Sequence, residues 1–420
     1  MGKTIAEKVL GKHAGRDLHA GDIAICKVDF CFGQDGTSSL IIDSFNKSGR
    51  KKVFEPSKFC MVIDHSAPSP NLGVSEIHNR MREFAKKMKV DLYDVGCGVC
   101  HVIIPEKGRV RPGDLVLGAD SHTCTYGALN VLSTGVGSTD LAITLLSGRN
   151  WFRVPESIKM EVVGTLKKGV YSKDLILHII GDVGANGCTY NSVEFYGETI
   201  RTLSVEARLT ISNMAVEMGA KFGVMEADAK VMTYLRKTAN IRSKINPVTA
   251  DKDARYIKAK TYDVSKLEPM VAMPHTVDNV AGVSKIGNIK INEAYIGTCT
   301  NGRLEDLKIA AGILKNRKIS KKVRCIIAPA SVTIFDDAIK AGYIRALIEA
   351  GCAVVAPGCG PCVGTHEGIL ADGEAAISSA NRNFKGRMGN PNSFIYLASP
   401  ATVAASAIEG KIADPRNYLR

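Results

Sequence analysis

Apolar residues in the last third of the chain alternate between two periods. Residues 293–297, 323–328, 352–356 and 394–397 are short apolar runs that predict strands. Between them, residues 304–314 carry a helical repeat, residues 332–350 read as one amphipathic helix ended by Gly351, and residues 401–408 as a third helix. The first third has the same grammar. Residues 58–63 and 115–117 read as strands, and residues 75–89 as a helix with Ile77, Met81, Phe84 and Met88 on one face. Residues 156–227 continue the α/β pattern, whereas residues 228–275 are polar, contain Pro247, Pro269 and Pro274, and predict a connecting segment. Strands alternating with helices imply right-handed crossovers and parallel sheets, hence an α/β fold. A chain of 420 residues exceeds a single core. The expected division is 1–155, 156–275 and 276–420.

In open parallel sheets, ligands bind beyond the carboxyl ends of the strands. Four polar clusters fall at such ends: Asp64-His65, Asp120-Ser121-His122, Thr298-Cys299-Thr300-Asn301 and Cys359-Gly360-Pro361-Cys362. Adjacent residues on an extended strand point to opposite faces, so His65 need not bond Asp64, and each carboxylate can orient an imidazole from another segment for acid–base work.

Composition narrows the chemistry. No run approaches the ~18 apolar residues of a membrane span, and the polar start with Glu7 predicts no secretory leader, so a cytoplasmic protein is expected. In that compartment the 12 cysteines are not a disulfide framework. Cys359 and Cys362 have the spacing of a redox dithiol, but glycine-rich flanks do not open a helix as that chemistry needs. With Cys299 they make three loop thiols, and spacing alone leaves an iron–sulfur cluster, zinc and a structural role equally open. Cys97, Cys100 and His101 match a haem-attachment pattern that belongs to exported proteins, which weighs against it. Asn381 and the arginines at 382 and 387 form a basic loop suited to carboxylates. Neither a P-loop nor a dinucleotide fingerprint is present. The net charge of +13 is spread along the chain, and one Trp with 6% aromatics argues against nucleic-acid stacking platforms.

Assembled, these residues resemble the large subunits of the two-subunit aconitase-like hydro-lyases, the group of 3-isopropylmalate dehydratase, homoaconitase and 2,3-dimethylmalate dehydratase. The resemblance runs the length of the chain. It is carried by Gln34-Asp35-Gly36-Thr37, Asp64-His65, Asp120-Ser121-His122-Thr123-Cys124-Thr125, Gly297-Thr298-Cys299-Thr300-Asn301, Pro357-Gly358-Cys359-Gly360-Pro361-Cys362 and the segment from Asn381 to Arg387. It implies three aconitase-like α/β domains, with parallel-rich sheets around a central iron–sulfur cluster cleft. Cys299, Cys359 and Cys362 would ligate one [4Fe–4S] cluster, whose remaining iron acts as a Lewis acid on the substrate hydroxyl. His65 would protonate the leaving hydroxyl. Asp120 would pair with His101, and His122 with Glu194. Asn301 and Asn381 would lie in the cluster shell, and Gln34, Ser121, Arg382 and Arg387 at the substrate.

The resemblance also implies what lies elsewhere. In single-chain relatives the carbon base sits on a fourth domain, so a separate small subunit is expected to carry it. The substrate would be a small anionic hydroxy acid, with the isomerisation of 2-isopropylmalate to 3-isopropylmalate in leucine biosynthesis ranked first, then homoaconitate and 2,3-dimethylmalate. Membrane and nucleic-acid partners are not expected. Gln34 departs from the His of many large subunits, and Val102 follows His101 where Gln is frequent. Two other classes stand beside it: an RNA-binding regulator on the same fold that uses the basic surface of the cluster-free form, and a zinc-stabilised structural subunit.

Overall fold

The structure, a computed structural model, describes residues 2–243 and 245–419. Three sheets carry the architecture. The first has five parallel strands in the spatial order Asp91–Tyr93, Phe59–Val62, Phe30–Gln34, Leu115–Gly118, Leu132–Gly135. The second is parallel, ordered Phe222–Met225, Ser192–Tyr196, Ser157–Val163, Lys258–Asp263. The third has seven strands ordered Val280–Gly282, Met270–Ala272, Phe394–Ala398, Ala375–Ser378, Glu293–Gly297, Arg324–Ala328, Ala353–Val354. Its first two joints are antiparallel and the rest parallel. A separate antiparallel ribbon pairs Ile23–Lys27 with Arg149–Arg153.

Strand order explains where a site can form. In the first sheet the chain leaves Phe30–Gln34 toward one edge, then returns to build the other edge from Leu115–Gly118. In the third it leaves Glu293–Gly297 toward one edge, then builds Ala375–Ser378 and Phe394–Ala398 on its other side. Each reversal opens a crevice at the carboxyl ends of the two diverging strands. One apolar cluster runs from Ile158 of the second sheet to Leu397 of the third, and another joins Phe32 of the first sheet to Cys299 and Cys359. Shared cores hold the crevices against each other.

Two expectations need correction. The helix expected over 332–350 is two helices, Val332–Lys340 and Tyr343–Ala350, because Gly342 adopts φ 77° between them. The apolar stripe continues across the break, so periodicity alone could not reveal it. The segment 228–275 is not simply a connector. Asp228 caps a helix, Ala229–Lys237, through two backbone N–H groups, and Lys258–Asp263 adds an edge strand to the second sheet. Met270–Ala272 pairs with Phe394–Ala398 and so joins the third sheet. Residue 244 lies outside the described residues. In the edge strand only Tyr262 is buried, so its composition reads as loop.

Candidate active site

A cavity of about 690 Å³ opens where the two crevices meet. Gln34 and Asp120 enter it from the first sheet, and Cys299 and Asn381 from the third. All four turns expected at strand ends converge on this space.

On the first wall, carboxylates hold the turns. Asp35 accepts from the backbone N–H groups of Asp64, His65 and Ser66 at 3.0, 2.8 and 2.8 Å, and from His78 Nε2 at 3.3 Å. Burial opposes its ionisation, but His78, His65 and these N–H donors hold its pKa well below the carboxylate range. Asp64 lies behind the cavity wall, accepting from Cys100 N at 2.7 Å and from His65 Nδ1 at 2.7 Å. The strand ends at Val62, so alternation no longer applies and the neighbours do bond. His65 Nε2 reaches Asp120 Oδ2 at 3.2 Å, while His101 Nε2 meets Asp120 Oδ1 at 2.7 Å. One carboxylate thus serves two imidazoles. Burial alone would raise the pKa of Asp120, yet His101, His122 and His65 hold it well below the carboxylate range. Burial disfavours the His65 imidazolium, but Cys359, Asp64 and Asp120 outweigh it and its pKa is raised well above 6.5.

His122 does not meet Glu194. Its Nε2 lies 2.7 Å from Glu217 Oε1, and Arg382 Nε donates to both Glu217 oxygens at 2.9 and 3.1 Å. Glu194 is committed elsewhere in the second sheet, accepting from Ile5 N at 2.8 Å, Tyr196 Oη at 2.5 Å and Tyr256 Oη at 2.8 Å. Its three acceptor bonds leave it no role at the cavity, so the assignment of Glu194 is corrected to Glu217. Glu217 interrupts the otherwise apolar turn Met214–Met218. A lone carboxylate in such a run must find a partner in the interior, and this is the signal that could have found it.

The second wall carries sulfur. Thr298 adopts φ 73°, an unfavourable conformation costing on the order of 1–3 kcal/mol, and its hydroxyl accepts from Thr300 N at 3.2 Å. The turn presents Cys299 to the cavity, while buried Arg303 binds the carbonyls of Cys299 and Thr300 at 2.5 and 2.7 Å. Asn213 Nδ2 donates to Cys299 Sγ at 3.2 Å and Asn381 Nδ2 at 3.6 Å. Arg387 donates to Cys362 Sγ at 3.4 Å. Cys359 N donates to the Asp64 carbonyl at 2.7 Å, which seats the thiol loop on the histidine loop. A Cβ on Gly358 would stand 3.1 Å from the carbonyls of Asp64 and Ala67, so the approach favours glycine. Asn301 does not line the cavity. It lies behind Cys299 and donates to Asp306 Oδ1 at 2.9 Å. Lys173 is wholly buried and donates to the carbonyls of Ser379 (2.9 Å) and Ala380, bracing the strand exit that carries Asn381 and Arg382. Burial pulls its pKa down to about 7.

The donor set discriminates among metals. Among the described residues, the one triplet of ligating atoms lying within 4.8 Å of one another is Asp64, His65 and Cys359. At least one pair among the sulfurs of Cys299, Cys359 and Cys362 therefore stands more than 4.8 Å apart, beyond the ~3.8 Å spacing that zinc–sulfur bonds of ~2.3 Å impose. Asn381 nonetheless touches both Cys299 Sγ and, at 3.9 Å, Cys362 Sγ. Three buried thiols around a gap too wide for one ion, with N–H donors aimed at sulfur, fit an iron–sulfur cluster. Burial pushes the Cys299 thiol up to about 11, so without iron it is neutral. Arg387 Nε is buried with no hydrogen-bond partner.

A model of the aconitase family (aconitate hydratase) matches residues 7–410. The 3-isopropylmalate dehydratase large subunit 2 of Archaeoglobus fulgidus is 51% identical over 419 residues, spanning 100% of both chains. Large subunit 1 of that enzyme from Thermotoga maritima is 51% identical over 421 residues, and large subunit 1 from Methanopyrus kandleri 47% over 420, each with 100% of both chains covered.

Proposed function

The chain belongs to the aconitase family of hydro-lyases, and from that premise we propose that it is the large subunit of a 3-isopropylmalate dehydratase. It carries one [4Fe–4S] cluster and interconverts 2-isopropylmalate and 3-isopropylmalate in leucine biosynthesis, in the cytoplasm. Its three domains follow the division at 155 and 275, with residues 270–272 crossing into the third sheet.

The observation that carries this reading is the Asp120 carboxylate shared by His65 and His101 on a wall facing three thiols. Dehydration next to a carboxylate needs a proton for the departing oxygen, anchors for the carboxylates, and a base for the C–H. Cys299, Cys359 and Cys362 would hold the cluster, which supplies Lewis acidity toward the hydroxyl and a carboxylate. His65, charged between Asp64 and Asp120, releases a proton from Nε2 when its longer 3.2 Å contact opens. Asp64 keeps Nδ1 protonated and the ring oriented. The His101 contact keeps Asp120 ionised and ready to orient the His65 imidazolium, and the water that adds in the rehydration half of the isomerisation returns the proton to His65. His122, fixed by Glu217, positions water, and Ser121 and Gln34 contact the substrate at the rim. Arg387, with its free Nε, and Arg382, oriented by Glu217, take the substrate carboxylate.

The names of the relatives specify a large subunit, and the partner small subunit supplies the carbon base. Purified anaerobically with that subunit, the protein is expected to be brown and to turn over 3-isopropylmalate faster than homoaconitate or 2,3-dimethylmalate, with neither subunit active alone. A colourless protein after anaerobic reconstitution, holding zinc and no sulfide, would overturn the assignment.

A further inference from the structure

The outer face of the two-stranded ribbon carries chemistry that the cavity does not use. Register pairs Ile23 with Arg153, Ile25 with Trp151 and Lys27 with Arg149, and all six project to solvent while the alternate residues are buried. Ile23 is 64% exposed, Ile25 62% and Trp151 59%. Trp151 is the single tryptophan of the chain. One exposed apolar residue is ordinary, but three adjoining ones that include a tryptophan have the composition of a binding hot spot. Lys27, Arg149 and Arg153 form no ion pair among the described residues. The strip leads to the cavity mouth. Tyr190 Oη donates to the Arg153 carbonyl at 3.2 Å, and Lys221 stands 5.8 Å from the Tyr190 ring centre. Both Tyr190 and Lys221 line the cavity.

We propose that this face docks the separately encoded small subunit, through a patch on that subunit with an apolar centre and a carboxylate rim. The inference rests on the two-subunit reading above. Charge selects the occupant. A second copy would bring the same three unpaired cations against themselves, in a chain already at +13. A carboxylate rim instead neutralises them while Ile23, Ile25 and Trp151 are buried. The contact also sets the small subunit beside Tyr190 and Lys221, over the mouth where the carbon base is required.

The test labels the cluster-loaded large subunit with 5-fluorotryptophan, giving one ¹⁹F resonance from Trp151, and titrates the cognate small subunit. The resonance is expected to shift in step with recovered activity. Trp151→Ala raises the dissociation constant about 30-fold, as for a truncated aromatic hot spot. Arg153→Glu, an exposed change, slows association and flattens its salt dependence. Iron and sulfide content of the isolated large subunit stays unchanged in both variants. A silent resonance while the complex forms and turns over sinks the docking surface and leaves the two-subunit reading standing. Absence of any complex or partner-dependent activity sinks both. A shift produced by the large subunit's own concentration, or by an RNA oligonucleotide in a salt-sensitive manner, also overturns the proposal.

Discussion

The two walls of the cavity differ in completeness. On the first-sheet wall the carboxylates of Asp35, Asp64 and Asp120 find their donors within the chain, and His65 and His101 are oriented by them. On the third-sheet wall the Cys299 thiol is pushed up by burial, Asn213 and Asn381 donate toward its sulfur, and Arg387 Nε has no partner. One wall is preorganised by hydrogen bonds the polypeptide makes with itself. The other is completed by what it binds. The acid–base machinery should therefore persist without the cluster, whereas the sulfur wall should tolerate little change.

The largest break in this contrast comes from Cys362→Ser. Losing one of three thiolate ligands is expected to abolish stable iron and sulfide binding and lower turnover by at least ~10³-fold, the scale of lost Lewis-acid catalysis. Metal and sulfide analysis with anaerobic kinetics reads both. Asp120→Asn probes the opposite wall. Turnover is expected to fall ~10²–10⁴-fold, the contribution of positioned acid–base groups, while iron and sulfide content holds. Cluster loss in this variant would show that the walls are not separable.

The corrected partner of His122 gives a smaller, sharper test. Glu217→Gln weakens the anchor shared by His122 and Arg382 and is expected to lower turnover ~10–100-fold, as for other orienting groups. Glu194→Gln disturbs only the Tyr196, Tyr256 and Ile5 contacts. It is expected to cost ~1–3 kcal/mol of stability with turnover unchanged. The reverse pattern would restore Glu194 to the site.

The smallest effect is one of pH. Burial opposes ionisation of Glu217, but His122 and Arg382 lower its pKa below the ordinary value. A carboxylate with a depressed folded pKa contributes stability that is present above its unfolded pKa of ~4.3 and is lost as pH falls through the folded value. Thermal unfolding of the cluster-free protein should lose stability on acidification below pH ~4, less steeply in Glu217→Gln. An unchanged acid limb would mean that the buried pair does not govern it.

Much of the site was legible because its residues break the local pattern. Asp64-His65 and Asp120-Ser121-His122 interrupt apolar runs that end as strands, and Cys299, Cys359 and Cys362 sit in turns flanked by glycine rather than within apolar runs. The missed residues follow the opposite logic. Asn213 and Lys173 lie in helices whose patterns look ordinary, Glu217 shows only as one carboxylate in a short apolar turn, and their functional contacts span 86, more than 200 and 95 residues of sequence. The edge strand Lys258–Asp263 was missed because a polar, solvent-facing strand has almost no apolar signature.

The sequence alone determined the alternation of strands and helices and the chemistry at the strand ends, since burial imposes periods of 2 and 3.6 and reactive groups must escape them. Only the tertiary structure decided which carboxylate orients which histidine and which amides face which sulfur. Local spacing says where a side chain leaves the backbone. Its partner is set by how sheets with reversed strand order pack against one another, and a shift of a few ångströms there exchanges one buried carboxylate for another.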